Sequence, residues 1–129
     1  AWLNDRRMRV AGRRDMSEMI FSTGLPFAGL SDLPETLGDL ALILPGCAGV
    51  RRWGAASLDL AYTAAGRYDG FWERNLKPWD IAAGILIVKE AGGLVESIET
   101  KHGNPIEDGS IIAAPNQVFD RFAKLVRND

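Results

Sequence analysis

The chain has a single cysteine, Cys47, and a single histidine, His102. One cysteine excludes an internal disulfide, and between Pro45-Gly46 and Ala48 it reads as a small buried residue. One histidine with no second histidine or cysteine nearby does not make a zinc-type ligand set, so His102 reads as a solvated loop residue. Long apolar runs are missing too. Stretches such as Leu40 to Leu44 and Ile85 to Val88 fall far short of the roughly 20 residues that a membrane span needs, and no signal-peptide pattern precedes Asp5. These absences point to a soluble, unexported, cytoplasmic protein with no membrane partner. Positive charge is also in short supply: 15 Lys and Arg stand against 17 Asp and Glu, a net charge of −2. That balance argues against a general nucleic-acid partner, for which a basic footprint is expected.

What is there suits one globular domain: 129 residues, 47% hydrophobic and 25% charged, enough for a core of its own. The local exception to the acidic balance is "NDRRMRVAGRR", with Arg6, Arg7, Arg9, Arg13 and Arg14 close together. It could grip phosphate; the plainer reading is a hairpin with Ala1 to Leu3 as one strand, Asn4-Asp5 as the turn and Arg6 to Val10 as a strand with a solvated face. The start at Ala1, without Met or lead-in, reads as a piece of a longer protein.

Further along, strand and helix signals alternate. Met19 to Thr23 reads as a strand with a turn at Gly24 to Pro26. Asp32 as cap and Pro34 in the first turn open a helix with Leu33, Leu37, Leu40, Ala41 and Leu44 at helical spacing, stopped by Pro45-Gly46. Cys47 to Trp53 reads as a strand. Gly54 to Ala65 follows as a helix with Leu58, Ala61, Tyr62 and Ala65 on one face, then Arg67 to Glu73 as a strand. Pro78 opens a helix, Trp79 to Ala91, which Gly92-Gly93 ends. Leu94 to Ile98 and Ser110 to Ala113 read as strands around an exposed loop, Glu99 to Gly109, and Pro115 starts a last helix with Val118, Phe119, Phe122, Leu125 and Val126 inward. The alternation implies a layered α/β domain with a mixed, largely parallel sheet covered by helices.

The stretch that suggests chemistry is "GFWERNLKPWDIAAGILIVKEAGG", Gly70 to Gly93. Asp80 falls in the first turn of its helix, where open N–H groups and the helix dipole favour negative charge; a stabilising first-turn residue and a ligand-binding carboxylate are both open readings. Trp79 beside it offers an apolar wall, and Ala82-Ala83-Gly84 keep the next turn slim, so something packs closely there. Gly54, Ala55 and Ala56 leave the N–H groups of the preceding helix unobstructed, an arrangement that receives anions. Strand ends and helix starts gather at one edge of such sheets, so Glu73, Asp80 and the Gly54 to Ala56 backbone are expected to converge. Hard oxygen donors favour Mg²⁺ over zinc or copper.

"GAASLDLAYTAAGRYDGFWERNLKPWDIAAGILIVKEAGG", Gly54 to Gly93, resembles the second signature of the inositol monophosphatase family, with Trp79-Asp80, Ala82-Ala83-Gly84 and Glu90-Ala91-Gly92-Gly93 as its hallmark. "STGLPF", Ser22 to Phe27, and "IIAAPN", Ile111 to Asn116, extend the likeness over nearly the whole chain. The resemblance implies the C-terminal half of a sugar-phosphatase fold and a Mg²⁺-dependent, lithium-sensitive enzyme that hydrolyses inositol monophosphates, working as a homodimer. It implies that Asp80 is a catalytic Mg²⁺ ligand that also touches substrate, that Glu73 accepts a hydrogen bond from an inositol hydroxyl, and that Gly54, Ala55 and Ala56 line the same pocket.

Two departures matter. Ala55 stands where the family often has Thr or Ser, which removes a side-chain hydroxyl from the pocket. The family's first signature, an Asp-Pro-x-Asp-Gly-Thr run with an upstream Glu, is absent, and Asp80 alone cannot hold the paired cations of such chemistry. The expectation is therefore a C-terminal domain over residues 1–129, active only with an N-terminal half outside this chain. Sibling phosphatases acting on histidinol phosphate, fructose bisphosphate or adenosine bisphosphate share the metal logic, and a non-catalytic binding module using the arginine-rich start is the alternative from another class.

Overall fold

The structure, a computed structural model, describes residues 1–25 and 33–129. The expected hairpin forms from β1 (Trp2–Leu3) and β2 (Arg6–Arg7), with Asn4 and Asp5 both at positive φ in the turn. β2 ends at Arg7 instead of Val10 because the Val10 N–H leaves the hairpin to donate to the carbonyl of Ala91. The remaining strands are β3 (Ile20–Thr23), β4 (Gly49–Arg51), β5 (Gly70–Glu73), β6 (Gly93–Glu96) and β7 (Ile111–Pro115). The helices are α1 (Leu33–Ile43), α2 (Ala56–Ala64), α3 (Pro78–Glu90), α4 (Pro105–Asp108) and α5 (Asn116–Arg127). The Pro26 turn and the Asp32 cap expected from sequence lie outside the described residues.

Strands β3 to β7 form one sheet in the order β4-β3-β5-β7-β6. β3 pairs parallel with β4 and with β5, while β7 pairs antiparallel with β5 and β6. The sheet is thus mixed, as expected, but only half of its pairings are parallel. The physical reason is connectivity: parallel neighbours need a crossover, which α1 and α2 supply, whereas residues 97–110 return the chain from β6 to β7 in the opposite direction. The loop expected to be exposed, Glu99 to Gly109, is mostly so; within it α4 forms and Pro105 is buried.

Alternation along the strands divides the core into two. Phe71, Ile111 and Ala113 face α2 and α3, where Leu60, Ala64, Ile81 and Val88 cover them. Phe21, Trp72, Ile112 and Ala114 face α1 and α5, where Phe122 stacks on Phe21 at 4.5 Å and meets Trp72 edge-on at 5.8 Å. The result is a helix–sheet–helix layering. α5 turns Val118, Phe119, Phe122 and Val126 inward as its spacing predicts, with Ala123 beside them.

Two helices present a different face from the one their leucines suggest. In α1 the buried residues are Thr36, Asp39 and Ile43, while Leu33, Leu37 and Leu44 (the last just beyond its end) are exposed. Asp39 is held inside because it accepts from the Trp72 indole at 3.0 Å and from Arg74 Nε and a terminal nitrogen at 3.1 and 2.9 Å. In α2 the buried residues are Asp59, Leu60, Thr63 and Ala64, and Leu58 is exposed. The slim turn of α3 explains part of this, because a Cβ at Gly84 would stand 2.5 Å from Leu60 Cδ1 and 2.7 Å from its Cβ. Ala82 and Ala83, by contrast, are exposed. α3 therefore packs its bare Gly84 against Leu60 and keeps Trp79 and Leu86 on its outer side.

Gly84→Val should cost about 1–3 kcal/mol by overpacking this contact, read as a lowered denaturant midpoint. A companion Leu60→Ala change should relieve part of the loss; an unchanged midpoint for Gly84→Val would mean that α2 and α3 do not meet there.

Candidate active site

The parallel run of β4, β3 and β5 sends three chain ends to the same edge of the sheet. β3 runs out at Gly24 and Leu25, β4 leads through Arg52 to the start of α2, and β5 leads through Glu73 to the start of α3. These ends enclose a cleft of about 290 Å³. Its walls are Gly24 and Leu25, Arg52 and Gly54 to Ser57, Glu73 to Leu76, and Trp79 with Asp80. All five positions singled out from sequence, Gly54, Ala55, Ala56, Glu73 and Asp80, line it together.

Local backbone chemistry explains the arrangement. Gly54 has φ +82°, a left-handed conformation that costs glycine little and turns the chain from β4 into α2. Ala55 is the N-cap of α2 and makes no side-chain capping bond, so the helix start faces the cleft with its N–H groups uncovered by a side chain. The methyl of Ala55 leaves that edge without a hydroxyl. At the α3 start, Pro78 occupies the first turn and Asp80 Oδ2 accepts from the Lys77 N–H at 2.9 Å. Asp80 therefore serves the helix start and lines the cleft at once. Trp79 lines the cleft although it is 80% exposed, so it forms an open rim and not a buried wall.

Sequence reasoning missed the group behind Glu73. Arg74 clasps buried Asp39 with two nitrogens, reaches the Val126 carbonyl at 3.3 Å and lies 3.5 Å from Glu99. Asn75, at φ +61°, then bends the chain so that the Leu76 N–H bonds to the Gly109 carbonyl at 2.8 Å. The ion pair thus anchors the short path from Glu73 to Asp80. Nothing in the local pattern marks Asp39 as its partner, since it lies 35 residues away. Gly24, which completes the wall beside Glu73, was legible only as part of the "STGLPF" likeness.

The other singled-out residues stand apart from the cleft walls. His102 is exposed and pairs with Glu96 at 3.1 Å. Cys47 is partly buried against the α1–α5 side of the core. Of the arginines, Arg6 and Arg7 are exposed on the hairpin, while Arg13 bonds to buried Asp69 at 3.1 Å and the Arg14 carbonyl accepts from Arg121 at 2.7 Å.

The sequence model of the inositol monophosphatase family matches residues 1–129. The chain belongs to this family. Within it, the chain is 44% identical over 127 residues to an inositol-1-monophosphatase of Rhizobium meliloti (strain 1021), covering 98% of this chain and 47% of that protein. It is 48% identical over 126 residues to a protein named putative Nus factor SuhB from Neisseria meningitidis serogroup B, again covering 98% of this chain and 48% of the relative. Among solved structures, extragenic suppressor protein suhB from Bartonella henselae matches with a TM-score of 0.91 and 41% identity, over 98% of this chain and 48% of that one. The chain spans about half the length of the curated relatives it matches.

One buried acid of this family member lies between α2 and β3. Asp59, fully buried in α2, accepts from the Ser22 hydroxyl of β3 at 2.6 Å, and its Oδ2 has no hydrogen-bond partner. Burial pushes the Asp59 carboxyl above its usual range, against the opposing Ser22 bond. A folded-state pKa above the unfolded one means full stability below the unfolded value and a loss as pH rises through the folded value. Asp59→Asn, neutral throughout, should therefore lack this loss: its melting temperature should gain on the parent as pH rises from about 4 toward 7. A constant difference across that range would show that Asp59 carries no raised pKa.

Proposed function

We propose that the full-length protein is a Mg²⁺-dependent phosphatase that hydrolyses inositol monophosphate to inositol and phosphate, with this chain as its C-terminal half. The observation that carries the reading is the convergence of Asp80, Glu73 and the uncapped start of α2 in one cleft of a chain of the inositol monophosphatase family. A cytoplasmic homodimer sensitive to lithium goes with the resemblance. No helix among the described residues is long and apolar enough to cross a membrane.

The donors fit Mg²⁺ in kind but not in number. Asp80 and Glu73 are carboxylates, the hard oxygen donors that Mg²⁺ prefers. Among the described residues, however, no three His, Cys, Asp or Glu side chains gather to hold a metal. Bound there, Mg²⁺ would neutralise charge on the phosphate oxygens and lower the pKa of an attacking water. On this reading Asp80 would be the residue of this chain that holds the cation, while also accepting from the Lys77 N–H. The α2 backbone N–H groups orient the polar oxygens of the substrate, and Glu73 accepts from a ring hydroxyl. The other metal carboxylates and the group that orients the water come from the half of the enzyme outside this chain.

Asp80→Asn in the full-length protein should abolish phosphate release from inositol monophosphate while the melting temperature stays close to that of the parent, because the amide oxygen keeps the Lys77 bond. If Asp80 served only the helix start, the change would cost about 0.3–1 kcal/mol of stability and spare turnover. Running the same assay with histidinol phosphate, fructose bisphosphate and adenosine bisphosphate separates the sibling activities.

The carboxylate shortage generates a second expectation. This chain produced alone should release no phosphate, and mixing it with the other half should restore some activity. Turnover by the isolated chain, free of contaminants, would refute this division of labour.

A binding role is the second reading, supported by the exposed hairpin in which Arg7 stacks over Trp2 at 5.1 Å and by the relative named putative Nus factor SuhB. It gains if the full-length protein hydrolyses none of the four phosphates.

A further inference from the structure

We infer that Gly24 is a positioning residue for substrate choice: its missing side chain is the slot in which the Glu73 carboxylate rests. The last paired residues of β3 and β5 are Thr23 and Trp72, and the Thr23 hydroxyl fastens the two strands by donating to the Trp72 carbonyl at 2.7 Å. One step further on, Gly24 stands beside Glu73. A Cβ built on Gly24 would overlap Glu73 Cδ and Oε1 and lie 2.5 Å from Oε2. All three carboxylate atoms thus occupy the volume that any other residue at position 24 would fill.

The glycine is not there for its backbone. Gly24 is absent from the positive-φ glycines among the described residues, which are Gly54, Gly66, Gly92 and Gly109. Alanine can therefore adopt its conformation without strain. The atoms in the way belong to the far end of a flexible side chain, so Glu73 can yield while the strands stay in place. Gly24→Ala is then a displacement of one carboxylate within the cleft, with no change in charge and none in the strand pairing. Resting on the reading that Glu73 accepts a ring hydroxyl, the inference makes Gly24 a determinant of which phosphate ester the cleft prefers.

The test compares the full-length protein with its Gly24→Ala, Glu73→Ala and doubly substituted forms. It measures kcat/KM for inositol monophosphate and for a plain alkyl phosphate, the melting temperature, and the ¹³C resonance of the Glu73 carboxylate. Gly24→Ala should lower the preference for inositol monophosphate about tenfold, the scale of one hydrogen bond to a charged acceptor. The alkyl phosphate value and the melting temperature should hold, and the Glu73 resonance should move. On the Glu73→Ala background, Gly24→Ala should change nothing further. The inference is overturned if the preference and the resonance both stay put, if both substrates fall together with the melting temperature, or if the preference falls as far in the absence of Glu73. Should the parent show no preference and Glu73→Ala make no difference, the ring-binding role of Glu73 is what fails. The resonance in Gly24→Ala then still decides whether Gly24 sets the carboxylate's position.

Discussion

The parallel pairing of β3 with β5, closed at its end by the Thr23 hydroxyl on the Trp72 carbonyl, is the constraint on which the cleft depends. It brings the outgoing ends of two strands to the same edge and sets Gly24 beside Glu73. It also fixes where Phe71 and Trp72 point, one to each half of the core. With β5 so placed, the path to α3 is only four residues long, Arg74 to Lys77, and the Arg74 clasp on Asp39 holds its first residue. Asp80 therefore has little freedom relative to Glu73.

Three buried acids tie this frame together, each bridging elements far apart in sequence. Asp39 joins α1 to β5 through Trp72 and Arg74. Asp59 joins α2 to β3 through Ser22. Asp69 receives both Arg13 and the Ile20 N–H at the start of β3. Buried carboxylates persist where partners compensate the cost of desolvation. Asp39 and Asp69 have such partners on both oxygens, whereas Asp59 has one on a single oxygen.

These acids also mark where sequence reading stopped. Periodicity located the helices because leucine and alanine spacing survives at the level of the helix as a whole, and Pro78 and Gly92-Gly93 bracket α3 by backbone chemistry alone. It misjudged which faces of α1 and α2 turn inward, because hydrophobicity ranks Leu37 and Leu58 above Asp39 and Asp59, whereas burial here follows partners on β3 and β5. The cleft residues near helix starts were legible, since open N–H groups and first-turn carboxylates have a local signature. Arg74 was not, and Gly24 only through the "STGLPF" likeness, because their significance lies in an ion pair across the fold and in a strand neighbour.

The outer sides of α2 and α3 carry Leu58, Trp79 and Leu86 in the open, the last two 80% and 61% exposed. A helix apolar on both sides ordinarily lies between two layers, yet here only one layer covers it. These side chains add open apolar surface to a chain whose net charge is only −2. Detergent or mild chaotrope would keep it dispersed where added salt, by strengthening apolar association, would not.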